Sequence, residues 1–318
     1  MDTILAIVNL AMPFFGLIVL GGIAAFFLDI EEEGLAWLNA FIVYFSLPAL
    51  IFLTVAAAPF ERLIDWPFVL ATSLATYLAF ILPFILFVFV FRTSVTIAAI
   101  QGTSASFGNV GYMGLPLAVA FFGKDAAVPA ALIFCFDCAL QFILTPLLAT
   151  LGQREGLKAH AIAAKVGKSI ILHPFVIATL LGAVASAFRL EPPVMAQSLL
   201  EMLSRAAGPT ALFALGVTLF MRRFAGIGPE FPVIVMTKLF LHPALVFSTL
   251  WLLGSVDPLW VSVALMMASL PTATNAFILA RQFNAYVEGA SSSILVSTLL
   301  SAVTIPPLIY AIKSGMLP

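Results

Sequence analysis

Residues 106–116 read Ser106-Phe107-Gly108-Asn109-Val110-Gly111-Tyr112-Met113-Gly114-Leu115-Pro116, a glycine-rich and partly polar stretch inside a long apolar run. Three glycines at a spacing of three, followed by a proline without a backbone N–H, weaken a helix over about two turns. A second apolar run is interrupted at Ser269-Leu270-Pro271-Thr272-Ala273-Thr274-Asn275-Ala276, where a proline stands beside three polar side chains. Irregular backbone at membrane depth survives only where protein buries it or where it lines a wet cavity. Each break frees N–H groups on one half-helix and C=O groups on the other, so one end suits a carboxylate and the other a cation. Asn109 and Asn275 each add an amide that donates and accepts, which suits the orientation of a small polar solute. The candidate substrate-binding residues are therefore Gly108, Asn109, Gly111, Tyr112 and Pro116 in the first break, and Pro271, Thr272, Thr274 and Asn275 in the second.

The surrounding composition makes this a membrane problem. The 318 residues are 63% hydrophobic and 9% charged, with a mean hydropathy of +1.16, whereas a soluble domain is roughly 45–50% apolar and about 25% charged. An all-α membrane protein is the predicted class. At about 20 residues per span the chain holds ten helices and no sizeable soluble domain; they are expected at residues 4–28, 35–57, 66–91, 94–122, 126–151, 170–188, 195–221, 231–253, 258–281 and 288–312. No GxxxxGK[ST] loop cradles a nucleotide, and GxSxG, HExxH and an aspartate-rich pair are all missing, which argues against a pump or an intramembrane enzyme. The net charge of −1 offers no basic face to nucleic acid; the expected partners are the lipid bilayer and a small solute.

Topology follows from the cations. Arg92, Arg154, Lys158, Lys165, Lys168, Arg222, Arg223 and Arg281 fall after odd-numbered helices, against Arg62, Lys124, Arg189 and Lys313 on the other side. That bias makes the odd loops cytoplasmic and both termini extracytoplasmic, in a bacterial-type inner membrane. Met1-Asp2-Thr3 lacks the basic region of a cleavable signal, so the first span is expected to be retained.

The prolines show a duplication. Pro13 and Pro174, Pro48 and Pro209, Pro146 and Pro307 are each 161 residues apart, as are Gly21 and Gly182. The reading is two five-helix repeats, residues 1–151 and 170–318, joined by a basic cytoplasmic linker at 152–169. Because five is odd, the second repeat is inverted, and in such folds matched broken helices place the substrate near the midplane. Helices four and nine are those broken helices.

Ionisable groups within spans cost about 3 kcal/mol at the bilayer centre, so each needs a role. Asp137, with Gln141 one turn on, is a candidate for carrying a coupling proton, helping to bind sodium, or pairing structurally with Lys238 or a hydroxyl. Lys238 is either a group that attracts an anion or that structural partner. Glu201 and Arg205 read as an i,i+4 pair, with an interface contact or a direct substrate role for Arg205 as the other options. His173 and His242, each before a proline, read as capping or packing residues, and no metal site or cofactor is predicted. Cys135 and Cys138 read as small buried hydrophobes, the four tryptophans as an interfacial belt, and the thirty phenylalanines as lipid-facing bulk.

The string FGNVGYMGLPLA from Phe107 to Ala118 resembles the fourth helix of bacterial auxin-efflux-carrier family permeases, and LPTATNAFILA from Leu270 to Ala280 resembles their ninth. The ten-span plan covers the whole chain. The resemblance extends to plant PIN exporters and, in general plan, to bile-acid:sodium symporters. It implies that helices four and nine cross at their breaks. It further implies a scaffold from helices one, two, six and seven, dimeric through helices two and seven, and a mobile transport domain from helices three to five and eight to ten that moves as an elevator. The implied substrates are organic anions, with malonate or malate among bacterial members and auxin-like acids in plants; coupling to protons, to sodium or to neither stays open. The alternatives are a sodium-coupled carrier of bile-acid-like anions and a channel or receptor.

Overall fold

Side-chain caps and prolines decide where the helices begin and where they distort. The computed structural model describes residues 2–28, 32–60, 63, 65–152, 172–221, 228–254 and 257–317. Most of the expected linker, residues 153–169, lies outside the described residues, as do Arg62, Arg222 and Arg223.

Among the described residues the chain is helical. The helices are α1 (Asp2–Phe27), α2 (Glu32–Phe41), α3 (Leu47–Ala57), α4 (Trp66–Phe89), α5 (Val95–Ser106), α6 (Leu115–Phe122) and α7 (Ala127–Gly152). They continue with α8 (Pro174–Phe188), α9 (Val194–Met221), α10 (Phe231–Met236), α11 (His242–Leu253), α12 (Pro258–Ala268), α13 (Asn275–Gln282) and α14 (Val287–Lys313). Among the described residues, five stretches are long and apolar enough to cross a membrane: Glu33–Ala57, Trp66–Phe89, Val194–Met221, Phe231–Leu253 and Val287–Lys313. Shorter apolar helices, Val110–Phe122 and Pro258–Ala268 among them, fall in the other expected runs. Asp65, Ser94 and Asp257 start α4, α5 and α12 by accepting the N–H groups of Phe68, Ile97 and Leu259, which satisfies donors that the helix itself leaves open.

Three π-helical turns share one cause. Ile42–Ser46, Val110–Gly114 and Thr237–Leu241 each end two residues before a proline, Pro48, Pro116 and Pro243. A proline ring collides with the carbonyl four residues back. Here the residue just before each proline bonds five residues back, Leu47 to Ile42, Leu115 to Val110 and His242 to Thr237, and the wider turn makes room for the ring.

Packing divides the helices into two sets. In one, α1 lies against α9, α3 against α8, and α9 against α3; in the other, α4 lies against α5 and α11, α5 against α7, and α11 against α12. Glycines permit the close crossings of the first set. A Cβ on Gly216 of α9 would run into the Ile18 carbonyl of α1, and one on Gly21 into the Phe213 carbonyl. On α8, a Cβ at Gly182 would lie 2.9 Å from the Val55 Cβ of α3. Small residues at such seams are how membrane helices gain contact without a hydrophobic driving force. Gly216→Leu is therefore expected to cost about 1–3 kcal/mol through overpacking, read as a lower melting temperature in detergent; an unchanged value would show that the α1–α9 seam carries no stability.

The aromatic expectations need correction. Trp37, Trp66 and Trp251 are 75%, 59% and 74% exposed, as an interfacial belt requires, but Trp260 is buried and meets the edge of Phe68 at 4.8 Å. Phe68, Phe80, Phe87 and Phe107 are also buried, so the phenylalanines are not simply lipid-facing: large rings fill the gaps between the interior helices.

Candidate functional site

The two breaks cross and satisfy each other. Asn109 N–H donates to the Pro271 carbonyl at 2.8 Å, Ala273 N–H donates to the Phe107 carbonyl at 3.0 Å, and Gly108 and Thr272 form an isolated antiparallel bridge. An unmade backbone hydrogen bond inside a membrane costs several kcal/mol; each interrupted helix supplies the partners that the other lost. Thr272 fastens the crossing on both sides. Its hydroxyl donates to the Ser104 carbonyl at 2.7 Å, in the last turn of α5, and its N–H donates to Ser297 Oγ of α14 at 3.0 Å. Pro271 and Thr272 thus hold the crossing together, while Pro116 packs toward Gly208 of α9, where a Cβ would lie 3.3 Å from the proline ring.

A cavity of about 310 Å³ lies beside the crossing. Of the sequence candidates, Gly108, Asn109, Gly111, Tyr112, Thr274 and Asn275 line it; Pro116, Pro271 and Thr272 do not. Two helix starts meet there, the π-turn at Val110 leading into α6, and α13 at Asn275. The positive ends of these helices suit an anion. Asn109 is 2% exposed, and its Nδ2 has no hydrogen-bond partner. A buried amide donor without a partner calls for an explanation, and its place on a cavity wall supplies one.

The rest of the wall was not legible as a site. Val43, Phe134, Phe175, His173 and Gln282 are part of it. His173 does cap α8, its Nδ1 accepting the Phe175 N–H at 3.3 Å, and it lines the cavity as well. The only hint was Pro174-Phe175 as the repeat partner of Pro13-Phe14. Tyr112 reaches α2, its hydroxyl donating to Asn39 Oδ1 at 3.2 Å. A methyl on Gly111 would stand 3.1 Å from Phe134 and 3.2 Å from Phe175. Gly111→Ala is thus expected to narrow the cavity and weaken ligand binding several-fold with little change in melting temperature, as measured by ligand-induced thermal shift.

Behind the crossing lies a buried polar chain. Lys238 Nζ donates to the Ala268 carbonyl and lies 3.0 Å from His242 Nδ1; His242 Nε2 lies 3.1 Å from the Thr76 hydroxyl; Thr76 in turn is hydrogen-bonded to the Thr72 carbonyl at 3.1 Å and to Asp137. Asp137, Lys238 and His242 are all buried and none lines the cavity. His242 is thus part of a polar network rather than a packing residue. Gln141 is fully buried, and both its amide atoms are without a hydrogen-bond partner. Glu201 and Arg205 pair at 3.7 Å on α9; well exposed, the pair is worth little. Both line a second cavity of about 730 Å³ with Lys124, Asp125 and Asp257. Cys135 is a free thiol 3.5 Å from the Thr179 hydroxyl, and the Cys138 side chain lies outside the described residues.

With this geometry in place, comparison with known proteins decides the family. Residues 6–309 match the family described as "Membrane transport protein". The chain belongs to that family. It is 44% identical over 312 residues, 98% of each chain, to a protein of Rhizobium meliloti (strain 1021) named "Putative malonate transporter". It is 26% identical over 307 residues, 96% of each chain, to an uncharacterized transporter of Methanothermobacter thermautotrophicus. It is also 24% identical over 289 residues to the uncharacterized transporter YfdV of Escherichia coli (strain K12), covering 88% of this chain and 89% of that one. These matches agree with the auxin-efflux-carrier resemblance carried by the two breaks. The protein is a multi-pass membrane transporter and not an enzyme.

Proposed function

We propose that this carrier moves a small carboxylate of the malonate or malate type as a secondary transporter, binding it at the crossing of the two broken helices. One observation carries the reading: a cavity of about 310 Å³ bordered by two helix N-termini and by the unpartnered amide of Asn109. That volume stands at the small end of ligand pockets, which favours a short dicarboxylate over a bile-acid-like anion. The similarity to the Rhizobium meliloti protein named for malonate points the same way.

Alternating access of the elevator type fits the packing. The set built from α1, α3, α8 and α9 supplies a scaffold, and the set containing both breaks supplies the moving part. An inverted ten-span repeat gains support from the paired glycines: Gly21 of the first helix crosses α9 of the seventh, and its repeat partner Gly182 of the sixth crosses α3 of the second. A twofold axis in the membrane plane would exchange those two crossings. His173 and Gln282 border the cavity near the ends assigned to the cytoplasm, so this is the inward-facing state, with the cavity at Arg205 and Lys124 as the outer vestibule. Placement in an inner membrane with both termini outside, and a dimer through helices two and seven, complete the proposal; cross-linking in membranes tests the latter.

The deciding experiment is counterflow. Proteoliposomes preloaded with unlabelled malonate should accumulate labelled malonate transiently and saturably, with malate competing and a bile acid not. Linear, non-saturable flux without counterflow would make the protein a channel, and competition by a bile acid alone would favour the larger substrate.

A further inference from the structure

Lys238 lies between the two breaks. Its fully buried ammonium donates to the carbonyl of Ala268, the last residue of α12 and hence the negative end of that half-helix. On its other side the same nitrogen lies 3.4 Å from where a Cβ would stand on Gly108, in the first break. The carbonyl end of a broken helix is where a cation binds in a membrane carrier. Here a side chain of the carrier reaches that end from the eighth span. Neither break contains an aspartate or glutamate with which to hold a metal cation, from Ser106 to Pro116 or from Ser269 to Ala276.

The remaining contacts hold the ammonium in register. His242, one turn along the same span, takes it on Nδ1, which leaves Nε2 to donate toward Thr76, whose hydroxyl is hydrogen-bonded to Asp137. Asp137 acts on Lys238 electrostatically from α7, as a counter-charge at the far end of the chain. The cation is therefore tethered to the crossing and balanced within the protein.

We propose that Lys238 is a built-in cation for the crossing, holding at the negative end of α12 the place that a co-transported metal ion would take, so that transport of the carboxylate needs no sodium. Its charge acts on the bound anion through the crossing, without contact, which makes it a positioning residue. The inference rests on the transport reading above, and its test separates the two.

The full chain, purified in detergent, is to be melted in matched sodium and choline chloride, and the proteoliposome exchange is to be run in the same two salts. Wild type should show the same melting temperature and the same malonate exchange in both. Lys238→Ala should melt lower and should be raised by sodium or by ethylammonium, either of which can enter the vacated space. The double variant Asp137→Asn/Lys238→Met keeps the network neutral and filled; it should fold yet lose at least tenfold of exchange. Wild-type exchange or melting that depends on sodium, failure of both cations to raise Lys238→Ala, or full exchange by the double variant would each overturn the assignment. Absence of any carboxylate exchange by wild type would instead overturn the transport reading, leaving the melting comparison to decide the role of Lys238.

Discussion

Asn109→Ala is expected to lower malonate affinity by at least tenfold while leaving the melting temperature of the ligand-free protein unchanged. The two effects have separate causes. The backbone of Asn109 is held by its N–H to the Pro271 carbonyl and by its own carbonyl, which accepts from Met113 and Gly114, and alanine keeps all three bonds. The side chain makes no hydrogen bond through Nδ2 to another residue, so deleting it breaks no Nδ2 hydrogen bond that holds the fold. A hydrogen bond to a charged ligand is worth about 1.5–3 kcal/mol, and 1.4 kcal/mol is tenfold in affinity. Isothermal titration or ligand-dependent melting checks the first effect, and melting without ligand the second. A variant that binds as wild type does would move the site away from the crossing; one that binds poorly and also melts much lower would make Asn109 a structural residue.

How much of this arrangement can be read from the residues depends on the range of the interaction. Both breaks are legible because glycine and proline act on their own helix, and the apolar runs are legible because lipid selects composition over some twenty consecutive positions. The pairing of Gly108 with Thr272 is not, since backbone hydrogen bonds between residues so far apart leave no mark on side-chain identity. Phe134 and Phe175 were unreadable as cavity wall because an aromatic ring beside a pocket looks in sequence like one in a core. Lys238 and His242 stand one turn apart on their span, a visible spacing, yet the meaning of that pair depends on the Ala268 carbonyl, supplied by another helix. Proline was an incomplete guide as well. Pro48, Pro116 and Pro243 follow π-turns, whereas Pro13, Pro83, Pro146 and Pro209 lie within continuous α-helices.

Asp137→Ala should be among the most destabilising single substitutions in the carrier. The carboxyl group is 3% exposed and closes the chain that runs through Thr76 and His242 to the Lys238 ammonium. Removing one member of a buried charge pair costs about 3–5 kcal/mol, chiefly because the other charge is left uncompensated. For a chain of this size that corresponds to a drop on the order of 10 °C in melting temperature. Loss of packing alone predicts something different, and the double variant separates them. If the damage comes from a stranded ammonium, Asp137→Ala/Lys238→Met should recover much of the stability lost in Asp137→Ala, because no charge then remains to be balanced. If it comes from lost contacts at two independent places, the double variant should be no better than the sum of its parts, since well-separated effects add. Recovery would show that Asp137 and Lys238, on different helices, act as one electrostatic unit through Thr76 and His242. Additivity would reduce the chain to a set of local hydrogen bonds.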